Sequence, residues 1–384
     1  MVKDTRYDVV VAGYTCIDLT PEFRKGNKAS LTEILRPGQL TEIEGISFLP
    51  GGVVPNTGMA LKKFNKSVYL NGLVGDDFMG SALSEWLGRY GIEEGIQVTG
   101  KEGTGFSIVF APPGVDRIFM EAIACNKIFD TVHINYEVVS RSRVFHFGYP
   151  PLLERFYKDQ GRQLVEMFTE VQRSGVVTSL DFSLPDPDSE SSQLNWQGIL
   201  SQVLPLVDIC APSLEEALLM LMPEEYARIR SGSDQHNIID QIPTTLVRKM
   251  GRKFLSFGVQ ILLIKAAKRG AYLLCGDISS LNQKLGYTLD EEKWSHSELW
   301  CDAWPVEEAR VKNAIGAGDT AIAAFLSAIL DGKGPRESIK YASLAGRNSL
   351  YCNNLYEELM DWEGMAKEIT EGSEMIINLK REQI

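Results

Sequence analysis

The 384-residue chain is 44% hydrophobic and 23% charged, values that support a sizeable buried core and exclude disorder and collagen-like repetition. Its 39 basic against 51 acidic residues leave a formal net charge of −12, without the basic stripe that a nucleic-acid partner needs. No apolar run reaches the ~20 residues that cross a bilayer, even around Val259-Gln-Ile-Leu-Leu-Ile-Lys265, so no membrane partner is expected. The N-terminus passes straight into a strand pattern with no secretory apolar region, so a cytoplasmic location is expected. Six cysteines (Cys16, Cys125, Cys210, Cys275, Cys301, Cys352) and four histidines show no metal-ligand or disulfide spacing.

Tyr7-Asp-Val-Val-Val-Ala-Gly13 is a short apolar run closed by glycine, the pattern of a buried strand feeding a loop. Residues 40–49 alternate in polarity before a glycine pair, and small or apolar residues at helical spacing follow over 52–64. A strand over 67–74 and a helix over 77–90 come next. Residues 104–111 and 117–122 read as a hairpin about Pro112-Pro-Gly-Val-Asp116. The α/β alternation resumes with a strand over 144–147, an amphipathic helix over 152–173 and strands over 176–180 and 207–211. Helices around Glu215 and Thr245 and a strand over 260–265 complete it. Residues 276–304 have weak periodicity and read as an insertion. This order predicts one α/β domain over 1–384, with a central, mostly parallel sheet flanked by helices. The β-rich stretches, about 14–50 and 103–125, predict a small β lid beside the ligand crevice.

Three segments carry chemistry. In Asn313-Ala-Ile-Gly-Ala-Gly-Asp-Thr-Ala-Ile-Ala-Ala-Phe325, the small residues Gly316, Ala317 and Gly318 precede Asp319 and a run of helix formers. Backbone N–H groups in such a turn converge where the helix N-terminus places its partial positive charge, which makes an anion hole. Asp319 at its mouth suits a helix cap or a general base for a hydroxyl nucleophile, and a Gly-rich turn capped by Asp is also an ordinary helix start. In Gly51-Gly-Val-Val-Pro-Asn-Thr-Gly-Met-Ala-Leu61, Gly51 and Gly52 allow close approach to a ligand and Asn56 offers donors and acceptors to hydroxyls. Asp18 lies just past the first strand, at the sheet edge where open α/β sheets bind ligands. An exposed loop aspartate and a plain loop-to-helix junction are the bland readings of the last two.

Taken together and in this order, the segments resemble the ribokinase-like, or PfkB, family of carbohydrate kinases over about residues 7–355. The 313–325 stretch is similar to the family's D-T-x-G-A-G-D signature and the 51–61 stretch to its G-G-x-x-x-N-x-A signature. Gly72-Leu-Val-Gly-Asp-Asp-Phe-Met-Gly80, Phe145-His-Phe-Gly-Tyr149 and Pro212-Ser-Leu-Glu-Glu216 match further family positions. The resemblance implies a ribokinase-like fold and ATP-dependent phosphorylation of a hydroxyl on a small sugar or sugar-like substrate. It implies Asp319 as base, the backbone of Gly316, Ala317 and Gly318 as anion hole, and Asp18, Gly51, Gly52 and Asn56 around the sugar. Ser213, Lys265 and Gly270 would lie at the nucleotide, and Glu216 would organise Mg²⁺ indirectly. It also raises a homodimer through the lid.

Departures bear on these roles. Asn313 stands where the family has Asp, with Ala314 and Ile315 beside it, so a monovalent cation such as potassium is not expected to matter. Ser213 replaces the Asn of N-x-x-E, and Ala267 replaces a glycine. Two alternatives stay open: a nucleoside kinase, with Tyr14, Phe106 and Tyr149 lining a base pocket, and a non-catalytic sugar- or nucleotide-binding relative. A dinucleotide dehydrogenase and a Walker-type ATPase are disfavoured, because neither G-x-G-x-x-G nor G-x-x-x-x-G-K-[ST] occurs where it would be needed.

Overall fold

Val9, Val10, Val11 and Ala12 are all fully buried, which places the first strand inside a sheet covered on both faces. The computed structural model describes residues 7–23, 34–110, 118–232, 238–372 and 376–378. In chain order the strands are β1 (Tyr7–Gly13), β2 (Cys16–Glu22), β3 (Gly45–Gly51), β4 (Val68–Gly75), β5 (Ile96–Thr99), β6 (Phe106–Phe110) and β7 (Ile118–Ala122). They continue with β8 (Ser142–Gly148), β9 (Val177–Asp181), β10 (Ile209–Cys210), β11 (Ile261–Lys265), β12 (Ala271–Cys275), β13 (Glu298–Cys301) and β14 (Ile376–Asn378).

Among the described residues these form a ten-stranded sheet in the order β14-β13-β12-β11-β10-β9-β8-β1-β4-β5 and a four-stranded sheet in the order β3-β2-β6-β7. The large sheet is parallel from β5 through β11, and β12, β13 and β14 add to it antiparallel. Helices supply the crossovers that parallel neighbours require. No helix among the described residues is long and apolar enough to cross a membrane. The expected hairpin is β6 paired antiparallel to β7, its turn lying outside the described residues, as do the 24–33 part of the expected lid and the first six residues.

Three sequence expectations need correction. The helix over Glu154–Arg173 is broken at Lys158–Gly161, where Asp159, Gln160 and Gly161 take positive φ. A Cβ on Gly161 would meet Ile199 Cγ2 at 2.6 Å, so this close approach reshapes a segment whose amphipathic period looks continuous. The strand expected over 207–211 shrinks to two residues, because the buried Asp208 carboxylate accepts from Thr178 N at 2.8 Å and from Gln260 Nε2 at 2.8 Å. Finally, the stretch read as an insertion is part of the main sheet. It contributes β13, and Lys284 of its helix Ser279–Leu285 pairs with Asp208 at 2.7 Å.

The helix Ala317–Leu330 is buried at every position from Asp319 to Leu330. An all-round apolar helix of this kind belongs inside the molecule. It packs between the helices Val53–Lys63 and Pro335–Ser349, so its N-terminus and that of Val53–Lys63 open on one cleft.

Candidate active site

Asp319 sits in the first turn of its helix, 1% exposed. Tyr149 Oη donates to it at 2.9 Å from each carboxylate oxygen, Asn56 Nδ2 at 3.1 Å and Thr57 Oγ1 at 3.4 Å. Burial pushes the Asp319 carboxyl above the usual carboxylate range, while Lys265 and these three donors pull it back toward ionisation. The helix starts from Gly316, whose φ of 69° is a left-handed value that favours glycine. A Cβ there would also crowd Asn56 at 3.2 Å. The first N–H groups after Gly316 have no intrahelical acceptors and face the cleft with the positive end of the helix dipole.

A second cation reinforces that end. Lys265, at the end of β11, is paired with the fully buried Asp181 of β9 at 2.6 Å. Its ammonium lies 3.3 Å from where a Cβ on Gly318 would stand, beside the helix start. Burial alone would lower the Lys265 pKa, but Asp181 and Glu216 hold it above its ordinary value, so it stays charged. Glu216 is buried, and burial raises its carboxyl. Its Oε2 accepts from Ser213 N at 2.7 Å, while Ser213 Oγ accepts from Glu216 N at 3.2 Å. This reciprocal pair is a capping box for the helix Leu214–Leu221. Gly270 lies in the tight link from β11 to β12, pressed so closely on Cys301 that its Cβ would stand 2.0 Å from the carbonyl oxygen. Ala267 in the same link holds a φ of 48°, a left-handed conformation that glycine adopts more readily than alanine.

Asp18, 8% exposed, projects from β2 at the other end. Burial and then the Glu121 charge push its carboxyl up to about 7. Its carboxylate lies against Gly51, where a Cβ would collide at 2.4 Å, and Gly52, with φ 82°, lets the chain pass the Tyr14 carbonyl into the next helix. One cleft of about 820 Å³ runs from Asp18, Ser107 and Glu121 past Asp319 to Ser213, Lys265 and Gly270. A hydroxyl-bearing molecule at the first end and an anion at the second would meet at Asp319.

The family model described as pfkB family carbohydrate kinase matches residues 7–358. The chain belongs to this family of carbohydrate kinases. Among solved structures, the kinase is similar to Arabidopsis thaliana ribokinase complexed with ribose and ATP, with TM-score 0.66, 19% identity and coverage of 94% of this chain and 98% of that one. It is similar to a putative ribokinase II from E. coli with ATP and Mg²⁺, with TM-score 0.66, 19% identity and coverage of 95% and 100%. A fructokinase with bound ATP from Xylella fastidiosa gives TM-score 0.66, 17% identity and coverage of 97% and 100%. At these identities the structures establish the shared ribokinase-like fold. A comparison with curated proteins finds no match.

Asp18, Gly52, Asn56, Ser213, Glu216, Lys265, Gly270 and the 316–319 turn line this cleft with Tyr14 and Tyr149, and Gly51 abuts Asp18, whereas Phe106, expected in a base pocket, is not part of the lining; several of these residues do something other than the motif suggests. Asn56 spends its amide donor on Asp319, and Asn313 bridges Cys352 O at 2.8 Å and Ile315 N at 2.9 Å, pinning the loop before the anion hole. Ser213 caps a helix. Sequence reasoning placed Tyr149 in a possible base pocket and assigned Asp181 no role; the kinase binds the first to Asp319 and the second to Lys265. Tyr149 carried a detectable signal, since it ends the Phe145–Tyr149 match just before Pro150-Pro151. Asp181 carried less: it is a lone carboxylate closing an apolar strand.

Proposed function

We propose that this kinase transfers the terminal phosphoryl group of ATP to a hydroxyl of a small sugar or sugar-like molecule seated between the small sheet and Asp319. The observation that carries this reading is the convergence on Asp319 of a hydroxyl-binding end and an end where the Lys265 ammonium stands beside a helix N-terminus, within one cleft. Asp319 takes the hydroxyl proton as the oxygen–phosphorus bond forms and the bond to ADP breaks. The N–H groups after Gly316 and the Lys265 ammonium stabilise the charge on the transferring group without reorganising.

Three carboxylates (Asp181, Glu216, Asp319) share this region with the single ammonium of Lys265, leaving an excess of negative charge where a polyphosphate would bind. That balance suits a divalent cation. No group of three or more His, Cys, Asp or Glu among the described residues is arranged to hold a metal ion, in keeping with Glu216 acting on Mg²⁺ through water. Mg²⁺ arriving with ATP would neutralise the phosphate oxygens. The stacked rings of Tyr14 and Tyr149, 6.3 Å apart and both lining the cleft, favour a nucleoside as the second reading. A dimer through the small sheet would cover its edge strands β3 and β7, where Ile46, Ile118 and Met120 are exposed.

Replacing Asp319→Asn should lower turnover by about 10²–10⁴-fold with ATP binding retained, because the isosteric amide takes up no proton. Turnover near the wild-type rate would refute the base, and a wild-type protein that phosphorylates neither sugars nor nucleosides would favour the non-catalytic reading.

A further inference from the structure

Two spaces lie under one face of the small sheet. Across that face Asp18 of β2 is in register with Ser107 of β6, and Ser107 with Glu121 of β7, and this row lines the end of the cleft described above. Thr20 lies two residues beyond Asp18, so it shares that face, and it is in register with Ser47 of β3. Thr20 and Ser47, with Glu22 and Val109, cover a second hollow of about 300 Å³. Met59, Trp86, Asn353 and Leu355 line it from the body of the molecule. The hollow abuts the catalytic turn. Asp18, Asn56 and Ile315 line both spaces. A Cβ on Gly316 would stand 3.2 Å from Asn56 and 3.3 Å from Leu355, so the start of the anion hole, a donor to Asp319 and the wall of the hollow meet at one point. The step from Asp18 to Thr20 along β2 is about 7 Å. A molecule held at Asp18 with a hydroxyl at Asp319 therefore reaches the hollow with a group one ring removed from the reacting one.

The lining of the hollow indicates what that group is. Trp86 is half-buried and packs on the Tyr90 ring at 4.7 Å, so its indole is a braced aromatic wall. The Thr20 and Ser47 hydroxyls and the Asn353 side-chain amide have no hydrogen-bond partner among the described residues. A purely apolar group would cover the indole and leave these donors and acceptors unpaired. A saccharide ring serves both, because its faces are C–H surfaces and its edges carry hydroxyls. The volume is roughly twice the ~150 Å³ that takes up one benzene ring, which leaves room for one six-membered ring with its hydroxyls.

We infer that the acceptor of this kinase is larger than a single sugar: a glycoside whose second saccharide ring lies between the small sheet and Trp86, beside the ring that Asp319 deprotonates. The inference rests on the proposed kinase reading for the place of the reacting hydroxyl and adds the size of the substrate. Trp86 and Ser47 act as specificity residues, remote from the reacting atoms.

The test compares one ring with two: maltose, cellobiose and trehalose against glucose, lactose against galactose, sucrose against fructose, and adenosine against ribose. Binding is read by thermal-shift titration and phosphoryl transfer by ADP release from MgATP, both on the full-length protein. At least one disaccharide should bind about tenfold or more tightly than its single sugar, the low end of what one well-filled pocket discriminates. Ser47→Trp, which fills the hollow, should bring that ratio close to one and leave binding of the single sugar unchanged. Trp86→Ala, which removes the aromatic wall, should lower the ratio several-fold. Ile46→Trp, on the outward face of β3 where Ile46 is 56% exposed, should leave it in place. No gain from a second saccharide ring, a gain confined to adenosine, or a ratio that survives both Ser47→Trp and Trp86→Ala would overturn the inference. The two readouts separate the failures: transfer to single sugars with no gain from a second ring sinks the inference and keeps the kinase, and disaccharide-selective binding without any transfer does the reverse.

Discussion

Tyr149→Phe removes one oxygen atom, and the structure sets what that should cost. The Tyr149 hydroxyl lies 2.9 Å from both oxygens of Asp319, whose carboxyl burial raises while Lys265, Tyr149, Asn56 and Thr57 favour its ionised form. A hydrogen bond to a charged group contributes about 1.5–3 kcal/mol, and each 1.4 kcal/mol is roughly a factor of ten in an equilibrium. Losing it disfavours the ionised base, so the acid limb of the pH–rate profile should move to higher pH. On that limb kcat/KM should fall about tenfold or more. On the alkaline side, where Asp319 is ionised in both proteins, rates should stay within a few-fold. The phenyl ring preserves the stack on Tyr14, so the fold should be unaffected. The assay is kcat/KM against pH with a saturating nucleotide. Superimposable profiles, or a loss uniform across pH, would refute the argument that Tyr149 acts through the ionisation of Asp319.

Lys265→Met should strand Asp181 as a buried, unpaired carboxylate and destabilise the protein by about 3–5 kcal/mol in denaturant unfolding, in addition to abolishing turnover; unchanged stability would show that the pair is not desolvated. Burial, then the nearby Lys265 charge, lowers the pKa of His146 to about 3, so between there and 6.5 the unfolded chain takes up a proton that the fold refuses. Wild type should therefore lose up to about 1.4 kcal/mol per pH unit relative to His146→Gln as pH falls through that window, and parallel stability–pH curves would count against it. Because the Asn313 side chain is committed to Cys352 and Ile315, and Ala314 and Ile315 offer no side-chain oxygen, turnover in potassium, sodium or a bulky organic cation at matched ionic strength should agree within about twofold. A several-fold gain specific to potassium would show that backbone carbonyls alone build a cation site.

Local sequence was sufficient wherever the physics is local. The apolar runs of β1, β4 and β8 read as buried strands because a parallel strand hides both its faces. The Gly316–Asp319 turn read as an anion hole because its backbone freedom and the helix dipole follow from adjacent residues. Asp18, Asn56 and Asp319 were therefore nameable from order and spacing together with the family they resemble. What tertiary structure alone decided is pairing across long stretches of chain. Tyr149 meets Asp319 170 positions away, and Lys265 meets Asp181 84 positions away, distances over which no periodicity carries information. The same holds for β13, whose polar neighbourhood hid a strand that exists because β12 and β14 pair with it, and for the Asp18–Ser107–Glu121 row, which only the register of three strands brings together. Residue type tells which chemistry is available, and strand register and helix convergence decide which of those groups share one buried space, where charge is no longer screened by water and each partner sets the state of the next.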